Sequence, residues 1–141
     1  MFKKVLLLAS AGLMVIGSAA AAEKVKIGFV TTITTPAGVI GRDMVDAVNL
    51  AMEDIGGKMA GRDVELIIED DGFKPAIGKQ KTDKLVKQDK VQFVTGFIWS
   101  HVLLASQKSA LGAGKFLISS NAGPSQMAGK LCHKNFFSTS W

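Results

Sequence analysis

Apolar residues along this chain follow two alternating patterns. Short apolar runs with a two-residue period give way to longer stretches where apolar residues recur every three or four positions. Lys24 to Thr31 (KVKIGFVT) alternates and then turns fully apolar, which predicts a buried strand. Ile40 to Gly56 follows with Met44, Val48, Ala51, Met52 and Ile55 at helical spacing. Its charged residues Arg42, Asp43, Asp46, Glu53 and Asp54 lie mainly on other faces, and Gly56-Gly57 ends the helix. Asp63 to Asp70 (DVELIIED) predicts the second strand. Pro75 to Asp89 predicts a Lys-rich helix with a narrow apolar stripe at Ile77, Leu85 and Val86. Pro75 suits the first turn, where its missing N–H costs nothing. Val91 to Thr95 is the third expected strand and Ser100 to Gly112 the third helix, anchored by Leu103, Leu104 and Leu111. Lys115 to Ser119 is a fourth strand, Pro124 to Leu131 a short helix, and Asn135 to Trp141 a fifth strand that the chain's last residue cuts short.

Strand-helix-strand units in succession predict an α/β fold, a parallel doubly wound sheet with helices on both faces. In such sheets ligands bind outside the carboxyl ends of the strands. The segments there are Thr32–Val39, Asp71–Lys74, Gly96–Ser100 and Ser120–Gly123.

The first 22 residues stand apart from this pattern. Lys3 and Lys4 precede an uncharged apolar run from Val5 to Ile16, followed by small residues ending at Ala20-Ala21-Ala22. This is the layout of a secretory signal peptide. The apolar core falls short of the roughly 20 residues a spanning helix needs. No Cys stands near the cleavage point, which excludes a lipoprotein anchor. The exported chain is therefore expected to be residues 23–141, without a membrane span.

Composition adds little beyond exclusions. The chain is 141 residues long, 48% hydrophobic and 21% charged, which excludes disorder. Its net charge of +5 includes Lys3 and Lys4, and the remaining surplus does not argue for nucleic acid. One Cys excludes a disulfide scaffold and a zinc finger. Cys132 is either free or paired with something beyond Trp141.

Nucleotide chemistry fails on spacing. The loop after the first strand lacks G-x-G-x-x-G. The stretch from Gly72 to Gln80 is one residue too long for a Walker A loop and follows Asp70-Asp71, which would repel phosphate. Catalysis has weak candidates. No G-x-S-x-G surrounds Trp99-Ser100-His101, and Cys132-His133 are merely adjacent. An exported α/β enzyme using that pair is the remote reading. Asp70-Asp71 is a dense acidic pair that ends a strand and reads as capping or bonding the following loop, so no metal or other cofactor is expected.

Binding chemistry remains. Ser100 is the expected N-cap of the third helix. A helix N-terminus attracts a carboxylate through its free N–H groups, and a serine hydroxyl adds a donor. Trp99 beside it offers a flat apolar surface. The Ser119-Ser120-Asn121-Ala122-Gly123 loop is small and polar, so its backbone can approach a ligand.

The chain from Lys24 to Trp141 resembles the N-terminal part of periplasmic substrate-binding proteins of the Leu/Ile/Val (branched-chain amino acid) ABC-transporter type. The resemblance rests on IGFVTTITTPAGVIGRDMVDAVNLAMEDIGGKMAGRDVELIIEDD, VQFVTGFIWS, FLISSNAGPSQMAGKLC and NFFSTSW, in that order and spacing. It implies a type I periplasmic binding fold, of which residues 23–141 are part of the first lobe, with the second lobe absent. It implies a small-molecule ligand captured in the periplasm and delivered to an inner-membrane permease. A periplasmic sensor domain using the same fold is the alternative. Ser100 falls where the family holds a ligand carboxylate, and Asn121 and Gly123 where it holds carboxylate and ammonium. Ile40 falls where an aromatic can line the site. Gly123 lacks the hydroxyl that amino-acid binders often carry. The NAGPSQMAGKLC and FSTSW strings resemble the subgroup that includes binders of aromatic and other apolar acids.

Overall fold

The computed structural model describes residues 23–140; the leader read at residues 1–22 and Trp141 lie outside the described residues. The elements are β1 (Val25–Thr31), α1 (Val39–Asp54), β2 (Lys58–Met59), β3 (Arg62–Asp70), α2 (Pro75–Lys87), β4 (Phe93–Thr95), α3 (Ser100–Leu111), β5 (Phe116–Ser119), α4 (Ser125–Ala128) and β6 (Phe136–Ser138). A 3-10 turn, Pro36–Gly38, leads into α1. Every expected strand and helix is present. Both α4 and β6 are shorter than expected, and Pro124 stands just outside α4.

Six strands form one sheet in the order β2-β3-β1-β4-β5-β6. The neighbours β3-β1-β4-β5-β6 are all parallel. The sequence reading missed β2, which pairs antiparallel with β3. A two-residue strand carries no alternation, and its turn is Ala60-Gly61, both at positive φ, rather than an Asn-Gly pair. The order reverses at β1, which has β3 on one side and β4 on the other. That is where ligands of such sheets bind.

Parallel register sets the two faces. Val30, Val94 and Leu117 point to one side and pack with Leu85 of α2 and Val102 and Leu103 of α3, all fully buried. Val102 adds to the anchors expected for α3. Ile27 lies beside Phe93, and Phe93 beside Phe116, on the opposite face. There Met44, Ala47 and Val48 of α1 approach Phe29 and Thr95 and leave a groove of ≈ 340 Å³. The expected burial of the α1 stripe holds only in part: Ala51 and Ile55 are exposed, and Gly41 is the one fully buried residue of the helix. Toward β6 the same face carries Phe93 stacked on Phe116 at 5.5 Å and Phe116 tilted over Phe137 at 6.4 Å. Phe116 is 40% and Phe137 51% exposed. Periodicity marks which side of an element is apolar, not how much cover it receives.

The lysines of α2 are matched by acids. Glu69 on β3 meets Lys81 at 2.7 Å and Lys84 at 2.6 Å. Burial opposes its ionisation, but hydrogen bonds from Lys81 and Lys84 outweigh it and leave its pKa lowered. Asp83 meets Lys79 at 2.6 Å and Lys87 at 3.1 Å. The hydrogen bonds from those two lysines lower the Asp83 carboxyl from 3.8 to about 2. A pKa depressed in the folded state stabilises the fold above the unfolded value, and this is lost as pH falls through the folded value. Melting temperatures measured down the pH scale will therefore fall between 3.8 and about 2. Asp83→Asn will flatten that fall, and an unchanged slope would remove this pair from the acid response.

Candidate functional site

Four loops meet at the carboxyl ends of β1, β3, β4 and β5. Loop one is fixed chiefly by Asp70. The Asp70 carboxylate accepts the N–H groups of Ile33 and Gly72, each at 2.9 Å, and the hydroxyl of Thr34. Burial disfavours its charge, but the Thr34 hydroxyl and the amides of Gly72, Ile33 and Thr34 prevail, so its pKa is lowered. The Arg42 guanidinium donates to the Ile33 carbonyl at 2.7 Å and ties α1 to the same loop. The expectation that Asp70-Asp71 bonds the loop that follows it agrees with the Gly72 contact, and the bonds to Ile33 and Thr34 reach a second loop that it did not include.

Asp71 does more than that expectation allowed. It is fully buried, and its Oδ1 accepts the Thr32 hydroxyl and, at 2.8 Å, the Phe73 N–H. Phe73 turns at φ 65 and sends its ring edge-on to Trp99, 4.8 Å between centroids, and to His101 at 5.1 Å. These contacts span loops one, two and three. Sequence reading had no signal for them, since Thr32, Asp71 and Trp99 are far apart in the chain.

Loop three runs through Gly96, Phe97 and Ile98 to Trp99. Gly96 sits at φ +103, with the Phe29 ring and the Val30 carbonyl 2.9 Å from where a Cβ would stand. Only glycine fits so close an approach in that conformation. Phe97 is fully buried in the core. Trp99, not Ser100, is the N-cap of α3, and no side chain caps the helix. This corrects the sequence expectation. The chain enters the helix one residue earlier because Trp99 keeps extended dihedrals while its carbonyl already accepts the Val102 and Leu103 N–H groups, both at 3.0 Å. Ser100 is therefore an exposed first-turn residue, and its hydroxyl is not engaged as a cap. Among the described residues no protein acceptor takes the Ser100 or His101 amide. Trp99 is half-buried, and its indole N–H donates to Thr32 Oγ1 at 3.0 Å. The N–H edge of the ring is thus turned to loop one rather than left free.

Loop four is tied to loop three. Asn121 Nδ2 donates to the Ile98 carbonyl at 3.1 Å, and the Ala122 N–H donates to the Phe97 carbonyl at 3.0 Å. The Ala122 carbonyl accepts the Ser119 hydroxyl. Ala122 is buried and its backbone is fully used, so it braces the loop. Asn121 is exposed, and Gly123 is half-buried with no hydrogen bond to its amide among the described residues. Ile40 stands in the first turn of α1, 46% exposed.

The arrangement offers hydrogen-bond donors at a helix N-terminus, an apolar aromatic group and a small polar loop at the reversal of the sheet. It does not assemble a nucleophile and base. His133 Nδ1 accepts the Asn135 N–H at 3.1 Å, within its own turn. Cys132 is exposed and free. Among the described residues, no cluster of three His, Cys, Asp or Glu could hold a metal ion, and no helix is long and apolar enough to cross a membrane.

Comparison with known proteins bears on what such a site does. Residues 24–141 match the family model described as periplasmic binding protein. The fold is similar to an ABC transporter substrate-binding protein from Sphaerobacter thermophilus, with TM-score 0.78 and 30% identity over 82% of this chain and 32% of that one. A branched-chain amino acid transporter substrate-binding protein from Streptococcus pneumoniae, in complex with isoleucine, gives TM-score 0.75 and 26% identity, over 82% of this chain and 33% of that one. A solute-binding protein from R. palustris in complex with benzoate gives 0.78 and 26%, over 83% and 32%. The chain spans about a third of the length of these structures. The search of curated proteins gives no match.

Proposed function

This chain belongs to the periplasmic binding protein family, and from that premise we propose that it serves as the solute-binding component of an ABC transporter. The fold, six mostly parallel strands with helices, is the type I periplasmic binding fold. Its relatives are substrate-binding proteins rather than enzymes. In the proposed role, residues 23–141 form the N-terminal part of the first ligand-binding lobe. Residues 1–22 direct export to the periplasm, and an inner-membrane permease receives the ligand.

One observation carries the ligand class. The N-terminus of α3 has two amides without protein acceptors and an exposed serine hydroxyl beside them. Such a terminus favours a negative group through its N–H donors and the helix dipole. Isoleucine and benzoate, bound by two of the relatives, share a carboxylate and an apolar body. We assign the carboxylate to Ser100 and the α3 amides. Asn121 and Gly123 contribute polar contacts, while Trp99 and Ile40 flank the apolar part. Ala122 acts through the loop it braces.

Calorimetric titration of the protein with isoleucine and with benzoate tests the reading. Binding of one of them supports it, and heat from neither argues against it. Ser100→Ala will weaken the bound acid about tenfold, or about 1.5 kcal/mol, for one donor lost to a charged group. The melting temperature will hold, since the Ser100 hydroxyl caps no helix. An unchanged affinity would remove Ser100 from the site.

A further inference from the structure

We propose that Asp71 and Thr32 are positioning residues for this site. They act through a buried hydrogen-bond relay that holds Trp99 and with it the first turn of α3. The inference rests on the reading of α3 as the carboxylate-binding terminus.

The relay has a fixed direction. The Trp99 indole N–H can only donate, and it donates to Thr32 Oγ1 at 3.0 Å. The Thr32 hydroxyl has one proton, which goes to Asp71 Oδ1. The carboxylate end accepts, and takes the Phe73 N–H on the same oxygen at 2.8 Å. Thr32 and Asp71 are both fully buried, so water does not compete for these bonds. One carboxylate oxygen therefore organises two things. Through Thr32 it orients the indole. Through the Phe73 amide it holds the turn that sets the Phe73 ring edge-on to that indole, 82° between planes.

What is held is the residue that starts the helix. The Trp99 carbonyl accepts the amides of both Val102 and Leu103. Ser100 and His101, with their free amides, lie between that carbonyl and those amides in sequence. A ring locked on one side by a hydrogen bond and on another by an aromatic edge leaves Trp99 little freedom. Donors preset in this way lose less entropy when a ligand arrives. The relay thus links the ends of β1 and β3 to the first turn of α3.

The test compares Thr32→Val, which keeps the shape and removes the hydroxyl, with Thr32→Ser, which keeps it. Hydrogen exchange of the Val102 and Leu103 amides is read in the full chain without ligand. Affinity for isoleucine and benzoate is read by calorimetry. Thr32→Val will speed exchange of the two amides about tenfold, the scale of one lost hydrogen bond. It will weaken the acid that the parent binds by a similar factor, and Thr32→Ser will restore both. Trp99→Phe keeps the Thr32–Asp71 bond and removes the indole donor together with part of the ring. It will speed the same exchange should Thr32→Val fold poorly. Exchange unchanged in Thr32→Val or Trp99→Phe overturns the relay, and faster exchange with undiminished affinity overturns its role in positioning the site. Failure of the parent to bind either acid counts against the binding reading instead, and the exchange result still decides whether the relay holds the turn.

Discussion

Phe97→Ala will lower the stability of the fold by about 3–5 kcal/mol. Phe97 is the largest of the fully buried side chains and belongs to the core between the sheet, α2 and α3. Truncation removes its transfer free energy and leaves a cavity that fixed neighbours cannot fill. Domains of this kind have about 5–15 kcal/mol in total, so the loss is a large fraction. The site loses its frame as well. The Phe97 carbonyl accepts the Ala122 N–H, so a displaced Phe97 loosens loop four. Urea unfolding will show a lower midpoint at an unchanged slope. Phe137→Ala is the control. That ring is 51% exposed on the open face, so its removal will cost far less. Equal effects from the two would mean that Phe97 is not the packing centre of the loop.

Gly41→Ala will destabilise by about 2 kcal/mol net. Alanine favours a helix over glycine by about 1 kcal/mol, which alone would stabilise. Space decides otherwise. A Cβ at residue 41 would stand 1.8 Å from the Thr32 carbonyl oxygen, and that oxygen is backbone. No rotamer relieves the overlap, so α1 or loop one must shift, at about 3 kcal/mol for overpacking of this severity. Gly129→Ala offers the contrast, because its nearest atom would be 3.7 Å away. Thermal melts will separate the two, with Gly41→Ala lower and Gly129→Ala near the parent. A Gly41→Ala protein as stable as the parent would show that α1 moves freely over loop one. Because loop one carries Thr32, the shift also disturbs the Trp99 contact, and binding will weaken with stability.

Much of this was legible in sequence for a local reason. The alternation of KVKIGFVT and the apolar run of DVELIIED mark strands whatever surrounds them. Pro75 and Gly56-Gly57 mark ends because backbone restriction and freedom are properties of those residues. Topology followed, since successive parallel strands leave few routes for the chain. The loops at the strand ends were located by that topology; Ser100 was singled out there by residue type, and Asn121 and Gly123 by the family resemblance.

The rest depended on groups distant in sequence. Ser100 looks like an N-cap by residue type, but the cap position fell to Trp99, whose indole and backbone are held from loops one and two. Ala122 reads as part of a small polar loop whose backbone can approach a ligand, yet Phe97 and Ser119 use both of its backbone groups. The apolar stripe of α1 is plain in sequence, while its partial exposure depends on how little of the sheet it covers.

By itself, then, the sequence determined the elements other than the two-residue β2, their order along the chain, the parallel sheet and the four loops where a ligand can bind, because periodicity and turn chemistry act over a few residues. Only the tertiary structure decided which polar groups in those loops are free and which are engaged. Hydrogen bonds between residues such as Thr32, Asp71 and Trp99 depend on distance in space, and no local pattern encodes that distance.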